Sequence, residues 1–247
     1  MINISNQTIV ILPHLDDEFA LIPILKEFGN STNENFKLIY CAERIASKQF
    51  YKRRKENLKA LSFLGIASSN VTYLNDYFPI NGSELYQASK KIYNYLSQLK
   101  NEDNFKQIFT LNYEGGHPDH DALALLIDKF SKDYKILTYY FPAYNARRKL
   151  FLPLCLFKPL RNQEHFFKSI KYNRFCWLPL FPIAFIYKSE KLAFLKLFPL
   201  FIPQVLFSRE LLFSESIDLK SVKWKWSFSW IVYRVKQSQI FQEIEAL

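Results

Sequence analysis

Two short segments hold most of the side chains in this sequence that could do acid–base or metal chemistry. Residues 13–18 read Pro-His-Leu-Asp-Asp-Glu, and residues 114–121 read Glu-Gly-Gly-His-Pro-Asp-His-Asp. Together they contain three of the four histidines of the chain. Carboxylates gathered this closely repel one another unless a cation lies among them. The two segments therefore predict a metal site rather than a solvated surface.

The residue types and their spacing fit a catalytic zinc ion, with another divalent metal as the alternative. Zinc binds imidazole and carboxylate, and in catalytic sites it keeps three protein ligands and one open position. His14 and Asp17 lie three residues apart, so both can face one point on a turn that enters a helix. His120, from the second segment, can complete the set.

The remaining residues of the two segments could supply the acid and the base. Asp16 would lie beside the metal, where a carboxylate can take a proton from water. His117 can donate to a leaving group or an oxyanion, and Asp119 follows it by two residues. Gly115 and Gly116 would let the backbone approach a substrate closely.

Both segments directly follow predicted strands, and the chain around them alternates strands with helices. Such alternation predicts an α/β fold with a Rossmann-like, open, mostly parallel sheet and helices on both faces. Ligands bind beyond the carboxyl ends of the strands in such sheets, so the two segments should meet there. The strands are expected at residues 8–12, 37–41, 71–74, 107–111 and 135–141, and the helices at 18–28, 47–64, 83–100 (with Ser83 as its cap) and 118 to about 130.

The last 109 residues differ in composition from the rest. Residues 1–138 carry 16 basic and 16 acidic side chains, whereas residues 139–247 carry 17 and 7 and hold 25 of the 43 aromatic residues. We expect one domain over residues 1–247, with a catalytic core at 1–141 and an irregular, basic and aromatic extension at 142–247. Short helices are expected in the extension, with a strand or two near residues 224–235.

The composition also excludes several classes of protein. The chain has five glycines, and their positions allow neither G-x-G-x-x-G nor a P-loop. Three widely spaced cysteines do not suggest a disulfide framework. We identify no signal peptide, and the longest charge-free apolar runs, 13 and 12 residues, are too short to span a bilayer. A cytoplasmic protein is expected, peripheral at the inner face of the membrane if the extension binds anionic lipid.

The two segments resemble the signatures of the PIG-L/LmbE-like family of zinc-dependent N-deacetylases, P-H-P-D-D-E and H-P-D-H. A third match is an R-x-x-E helix at residues 53–56 followed by Leu64-Gly65. The resemblance covers about residues 8–141. Leu15 replaces the usual proline, and the bulky residues 19–23 replace small ones, so the pocket wall is expected to differ.

The resemblance implies a role for each matching residue. His14, Asp17 and His120 would be the zinc ligands, and Asp16 the general base that activates the attacking water. His117 would be the general acid and oxyanion stabiliser, with Asp119 orienting it. Arg53 would contact the substrate. Positions at the predicted sheet edge add further candidates for substrate binding, namely Glu43, Tyr113, Glu114, Gly115 and Gly116.

The leading hypothesis is a zinc-dependent hydrolase that removes the N-acetyl group from an N-acetylglucosamine-type amino sugar, carried on a lipid or a pyrophosphate. One alternative is a zinc amidohydrolase that acts on another acylated amine, such as a thiol-sugar conjugate or an antibiotic precursor. Another is an inactive module that binds a membrane or nucleic acid. Nucleic acid is the less favoured partner because no recognisable motif supports it, and an anionic membrane surface remains open. We infer no obligate protein partner.

Overall fold

The computed structural model describes residues 7–30, 36–43, 50–115, 117–145, 155–159, 161–173, 175–219 and 237–247. Two predictions lie outside these residues: the close backbone approach at Gly116 and the strands near residues 224–235. Seven α-helices are described within these ranges: α1 (Ile22–Asn30), α2 (Phe50–Phe63), α3 (Ser89–Asp103), α4 (Pro118–Tyr134), α5 (Leu180–Ile186), α6 (Lys191–Phe207) and α7 (Gln237–Glu245).

A five-stranded, fully parallel sheet forms the centre of the molecule, as the sequence predicted. Its order is β3-β2-β1-β4-β5. The central strands are fully buried and rich in β-branched residues, because helices cover both faces. The strands are β1 (Thr8–Leu12), β2 (Phe36–Tyr40), β3 (Val71–Tyr73), β4 (Gln107–Leu111) and β5 (Leu137–Phe141).

Two hydrophobic clusters hold the helices against the sheet. Val10 and Leu12 point into the cluster that contains α1, α2, α5 and α6, whereas Ile9 and Ile11 point into the cluster that contains α3, α4 and α7. Because side chains alternate along a strand, these four residues of β1 alone serve both faces. The prediction of a Rossmann-like sheet with helices on both faces is confirmed.

Two glycines let α1 and α2 end against each other. A Cβ atom on Gly29 would lie 1.9 Å from the carbonyl oxygen of Leu64, and one on Gly65 would lie 2.8 Å from the carbonyl oxygen of Gly29. Gly65 also has a φ of 83°, a conformation that favours glycine. Glycine at both positions therefore permits a backbone-to-backbone contact.

The predicted helix at residues 83–100 begins later than expected. A 3₁₀ turn (Leu85–Ala88) precedes α3, which starts at Ser89. Ser83 is not the cap of that helix; it has a φ of 78° and donates its backbone N–H to the carboxylate of Asp119. A contact with a distant side chain has replaced the local capping interaction.

The extension packs onto the sheet and contains a longer helix than predicted. Strands β8 (Lys168–Lys171) and β9 (Glu210–Phe213) form an antiparallel pair, and β9 leads to Ser214, which bridges to Tyr140 of β5. Two further short strands, β6 (Tyr144–Asn145) and β7 (Cys155–Leu156), also pair. Between β8 and β9, α5 packs on α2 and α6 packs on α5, and Trp177 and Phe201 belong to the hydrophobic cluster that contains these helices.

Proline does not interrupt α6, although two prolines lie within the helix. Helix α6 runs through Pro199 and Pro203. Both prolines lie on its exposed side, where water can bind the carbonyl groups that lose an intrahelical partner. No helix of the described residues is long and apolar enough to cross a membrane.

Candidate metal and active site

The strand order brings the two histidine-bearing segments together. Strands β1 and β4 are neighbours and run parallel, so the loops that follow Leu12 and Leu111 leave the same edge of the sheet. This is also the position where the chain order reverses, the usual ligand site in such folds. The adjacency expected from the sequence is therefore present in the structure.

Three histidines and one carboxylate meet at this edge. Potential ligand atoms of His14, His117 and His120 all lie within 4.8 Å of one another. The carboxylate of Asp17 lies between two of these rings, with Oδ2 3.1 Å from His14 Nδ1 and Oδ1 3.2 Å from His120 Nε2. The arrangement offers two overlapping donor sets, one of three imidazoles and one in which Asp17 replaces His117.

The electrostatics of this cluster favour a cation. Burial alone would lower the pKa of His14, but the carboxylates of Asp17 and Asp119 raise it to about 10. Burial would raise the pKa of Asp17, but His120 and His14 hold it well below its ordinary value. The negative charge that binds a proton at His14 would equally bind a divalent ion, so the donor set fits a metal.

Asp119 fixes the orientation of His14. Its carboxylate is fully buried and lies 2.8 Å from His14 Nε2, and it accepts the backbone N–H groups of Ser83 and Leu85. A carboxylate on the second ring nitrogen is the usual support of a metal-binding histidine, since it leaves the first nitrogen free to ligate. This contact points Nδ1 of His14 towards Asp17.

His117 begins α4 as its N-cap residue. Its Nδ1 accepts the backbone N–H of Asp119 at 3.2 Å. Burial and the neighbouring imidazoles of His120 and His14 lower the pKa of His117 well below its ordinary value. The family resemblance implied that Asp119 orients His117. The structure shows a backbone contact between the two residues, while the Asp119 carboxylate bonds to His14.

Asp16 lies in the cleft beside the histidines, and an arginine holds it. Its side chain is 30% exposed, and Oδ1 lies 3.3 Å from a terminal nitrogen of Arg53. Nε of Arg53 in turn lies 3.4 Å from Oε1 of Glu190, in the extension. Arg53 thus bridges the first segment to the extension across the mouth of the site.

Glu56, the glutamate of the R-x-x-E sequence, also binds the extension. The carboxylate of Glu56 accepts the backbone N–H of Ser189 at 3.1 and 3.2 Å and also its hydroxyl. Ser189 and Glu190 belong to a 3₁₀ turn (Lys188–Glu190) that precedes α6. Arg53 and Glu56, one helical turn apart, therefore hold the same turn.

Two buried acidic residues, Asp121 and Glu114, accept hydrogen bonds that hold the backbone of the second segment and of the loop after β5. Oδ1 of Asp121 accepts the backbone N–H groups of Glu114 and Gly115 at 2.9 and 3.0 Å, and Gly115 has a φ of 67°. Oε2 of Glu114 accepts the N–H groups of Ala143 and Tyr144. Glu114 thereby supports the loop after β5 and is not among the cleft-lining residues.

A cleft of about 200 Å³ opens over the cluster. Tyr113 was predicted to line it but is fully buried elsewhere, against Phe241 of α7. Glu43 and Arg53 do lie on its wall, as the sequence suggested. The residues that line the cleft are His14, Leu15, Asp16, Asp17, Ala42, Glu43, Phe50, Arg53, Gly82, His117, Tyr144 and Glu190.

Sequence reasoning missed three residues of this region. Tyr144 lines the cleft with its hydroxyl 3.4 Å from His120 Nε2, and Glu190 pairs with Arg53. Arg54, which the sequence did not single out, forms a bidentate pair with the buried Glu43 and also contacts Asp76. The position of Tyr144 just after the fifth strand was a usable signal, whereas nothing local marks Glu190.

The bulky start of the first helix forms part of the core rather than the pocket wall. Phe19 is buried against Tyr187, Phe194 and Phe201 of the extension. The expectation that residues 19–23 would reshape the pocket wall is wrong, since none of them lines the cleft. Their aromatic contacts hold the extension in place.

A buried polar network joins the first segment to the extension. Glu18 is fully buried, and its carboxyl contacts the hydroxyl groups of Tyr40 and Tyr187. The side-chain amide of Asn57 donates to both hydroxyls and to the carbonyl of Leu15. Burial raises the pKa of Glu18 to about 8, so its neutral form is favoured at pH 7.

Comparisons with known proteins agree with this architecture. The family described as "PIG-L: GlcNAc-PI de-N-acetylase" matches residues 9–131, about half of the chain. No curated protein matches the sequence.

Several solved structures share the fold. One is N,N'-diacetylchitobiose deacetylase from Pyrococcus horikoshii, with 17% identity, a TM-score of 0.57, and coverage of 85% of this chain and 83% of that one. Another is the A40926 pseudoaglycone deacetylase, with 15% identity, a TM-score of 0.51 and coverage of 77% and 84%. A third is described as the zinc-inhibited form of teicoplanin deacetylase, with 13% identity, a TM-score of 0.52 and coverage of 76% and 85%.

The matched residues include both histidine-bearing segments, from the turn after β1 to the helix α4 that carries His120. The sheet order, the meeting of these segments at one edge and the family match point to the same conclusion. The chain belongs to the PIG-L family and is a hydrolase of the N-deacetylase type.

Proposed function

We propose that this chain removes the N-acetyl group from an N-acetylglucosamine-type amino sugar, using a divalent metal, zinc in the first instance, held by His14, Asp17 and His120. The observation that carries the proposal is the contact of Asp17 with both His14 and His120, next to a cleft that His14, Asp16 and Asp17 line. The family match and the similarity to amino-sugar deacetylases support the reaction class.

The metal would supply a positive charge that polarises the amide carbonyl and acidifies water. Asp16 would take the proton of the attacking water, because it is a partly exposed carboxylate on the cleft wall beside the donor cluster and pairs with Arg53. His117 lines the same cleft and can donate an N–H to the oxygen of the tetrahedral intermediate. The proton returns to the leaving nitrogen, and the products are acetate and a free amine.

The direct experiment combines metal analysis with acetate release. The purified chain, loaded with zinc, should bind about one equivalent and release acetate from N-acetylglucosamine compounds, including lipid-linked and pyrophosphate-linked ones. Asp16→Asn should retain the metal and lose roughly 10³-fold in kcat/KM. Asp133→Asn, on the exposed face of α4, is the matched control and should behave as the unchanged protein. Full activity of Asp16→Asn would refute its assignment as the base.

The two donor sets are distinguished by a second pair of variants. If Asp17 is the third ligand, Asp17→Ala should lose the metal, whereas His117→Ala should retain it and lose turnover. The opposite result would assign His117 as the ligand and leave the oxyanion without its proposed donor. Because one similar structure is described as zinc-inhibited, activity should be followed across a zinc titration and with other divalent ions.

A second candidate substrate is an acylated antibiotic precursor or thiol-sugar conjugate. The fold similarity to the teicoplanin and A40926 pseudoaglycone deacetylases favours including it. A panel of acylated glycopeptides, thiol sugars and N-acetylglucosamine compounds separates the candidates by their relative kcat/KM. Preference for a glycopeptide would reject the amino-sugar assignment and keep the hydrolase.

A further inference from the structure

Exposed apolar side chains gather on one part of the extension. Eight of the fourteen large apolar side chains that are strongly exposed in the described ranges fall between residues 175 and 207. Phe207 is 77% exposed and Leu192 is 75% exposed. Isolated exposed apolar residues are ordinary, but a contiguous group marks a surface that binds something.

The group forms an ordered face on α6. Its exposed residues follow a 3-4-3-4 spacing, which places them on one side of a helix. From first to last the row extends about 21 Å at 1.5 Å per residue. The opposite side of α6, with Phe194, Phe201 and Val205, is buried in the core. The exposed row is Leu192, Leu195, Pro199, Ile202 and Leu206; together with Phe185 and Phe207 we call it the α5–α6 face.

Basic residues accompany this face. Lys188, Lys191 and Lys196 are exposed, and none of them forms an ion pair within the part of the chain that the structure describes. The acidic residue among them, Glu190, is directed into the cleft, where it pairs with Arg53. An apolar row with cations at its border is the pattern of a helix that lies in the interface of an anionic bilayer.

An apolar cavity interrupts the face next to the active site. It measures about 420 Å³, lies between α5 and α6, and is lined by residues that include Phe185, Phe194 and Leu195 together with Lys188 and Lys191. The turn Lys188–Glu190 separates it from the cleft, since Glu190 lines the cleft and its two lysine neighbours line the cavity. An apolar group bound in this cavity would therefore lie next to the cleft, on the other side of the turn Lys188–Glu190.

We propose that the α5–α6 face docks this protein on the surface of an anionic lipid bilayer. Apolar side chains of α6 would enter the acyl boundary, and the lysines would contact anionic headgroups. A second copy of the chain fits less well, because an isologous interface would bring the same lysines to both sides of one contact without carboxylates to neutralise them. The proposal does not depend on the deacetylase reaction.

Co-sedimentation with vesicles tests the docking directly. The full chain should bind vesicles of phosphatidylcholine mixed with phosphatidylglycerol, bind pure phosphatidylcholine much less, and lose binding as salt rises. Lys191→Gln/Lys196→Gln should weaken binding to the anionic vesicles about 25-fold, at about fivefold for each lysine. Leu195→Ser/Phe207→Ser should weaken it at least about tenfold.

Matched variants elsewhere on the surface control for charge and hydrophobicity. Lys90→Gln/Lys91→Gln, exposed on α3, and Phe63→Ser, exposed on α2, should leave vesicle binding unchanged. Asp16→Asn should bind vesicles as the unchanged protein does, which separates docking from turnover. Thermal unfolding of each variant confirms that it is folded.

Three results would overturn the proposal. The first is no binding to anionic vesicles, and the second is equal binding to neutral and anionic ones. The third is a concentration-dependent dimer that Leu195→Ser/Phe207→Ser abolishes while the vesicles remain unbound, since the occupant would then be a second copy. Weakening by both the lysine pair and the apolar pair, with the control variants unaffected, supports it.

Discussion

Glu56 offers a quantitative test of how the extension is attached to the catalytic core. Glu56 is 8% exposed, and its carboxylate accepts two hydrogen bonds from Ser189, which lies 133 residues further along the chain. Hydrogen bonds to a charged group contribute about 1.5–3 kcal/mol each. Glu56→Ala should therefore lower the free energy of unfolding by roughly 3 kcal/mol, or about 6–12 °C in Tm for a chain of this size.

A double-mutant cycle isolates the contact. Ser189→Ala removes the hydroxyl donor and leaves the backbone N–H, so it should cost about 1.5 kcal/mol. In the Glu56→Ala background the same change should cost almost nothing, because its acceptor is already absent. The coupling energy should therefore be about 1.5 kcal/mol, measured by urea unfolding of the four proteins.

The same variants should affect turnover through Glu190 and Arg53. Loosening the turn Lys188–Glu190 releases the partner of Arg53, which orients Asp16, so kcat/KM should fall roughly 10- to 100-fold in Glu56→Ala. Glu102→Ala, an exposed carboxylate on α3, is the control and should change stability by less than about 0.5 kcal/mol. A coupling energy below about 0.5 kcal/mol, or undiminished activity in Glu56→Ala, would refute the reasoning.

Three further changes test other parts of the structure. Asp119→Asn should weaken metal affinity about 10- to 100-fold, measured by chelator competition, because the support of His14 is lost. Gly29→Ala should lower the free energy of unfolding by about 1–3 kcal/mol in urea, because the added carbon meets the Leu64 carbonyl. In chelator-treated protein, Glu18→Gln should flatten the pH dependence of the free energy of unfolding. Burial raises the pKa of Glu18 in the folded state from an ordinary 4.5 to about 8. The contribution of Glu18 to stability is therefore complete below pH 4.5 and is lost as the pH rises towards 8.

Each of these has a result that contradicts it. Unchanged metal affinity in Asp119→Asn would show that the carboxylate does not support a ligand. A Tm of Gly29→Ala equal to that of the unchanged chain would show that the α1 and α2 ends can separate without cost. For Glu18, the contradicting result is a stability difference between the two proteins that stays constant from pH 5 to pH 8.

The sheet and the position of the site followed from local sequence. Short runs of β-branched residues predicted the buried strands, and periodic apolar residues predicted the helices. The alternation of strands and helices implies parallel pairing. Parallel pairing puts the carboxyl ends of β1 and β4 at the same edge of the sheet. His14, Asp17 and His120 could therefore be placed together from the sequence alone. These features depend on residues close in sequence, where pattern and spacing are informative.

The helix boundaries show the limit of that reasoning. Ser83 has the residue type of a helix cap, yet its backbone N–H is bonded to Asp119, 36 residues away. Pro199 and Pro203 are helix breakers by type, yet α6 continues through them because they face solvent. In both cases the environment in the folded protein, a distant carboxylate for Ser83 and solvent for the prolines, outweighed a local conformational preference of about 1–3 kcal/mol.

Local sequence was enough to identify the chemistry-bearing residues of the site, the strands that carry them and the family. The tertiary structure decided which side chain each of them touches: Asp119 bonds to His14, Arg53 lies between Asp16 and Glu190, and Glu18 meets Tyr187 from 169 residues away. Partners so far apart in the chain share no periodicity or spacing. Their meeting depends on how the extension packs on the sheet, and the packing of Phe19 beneath α6 fixes that position only in the folded molecule.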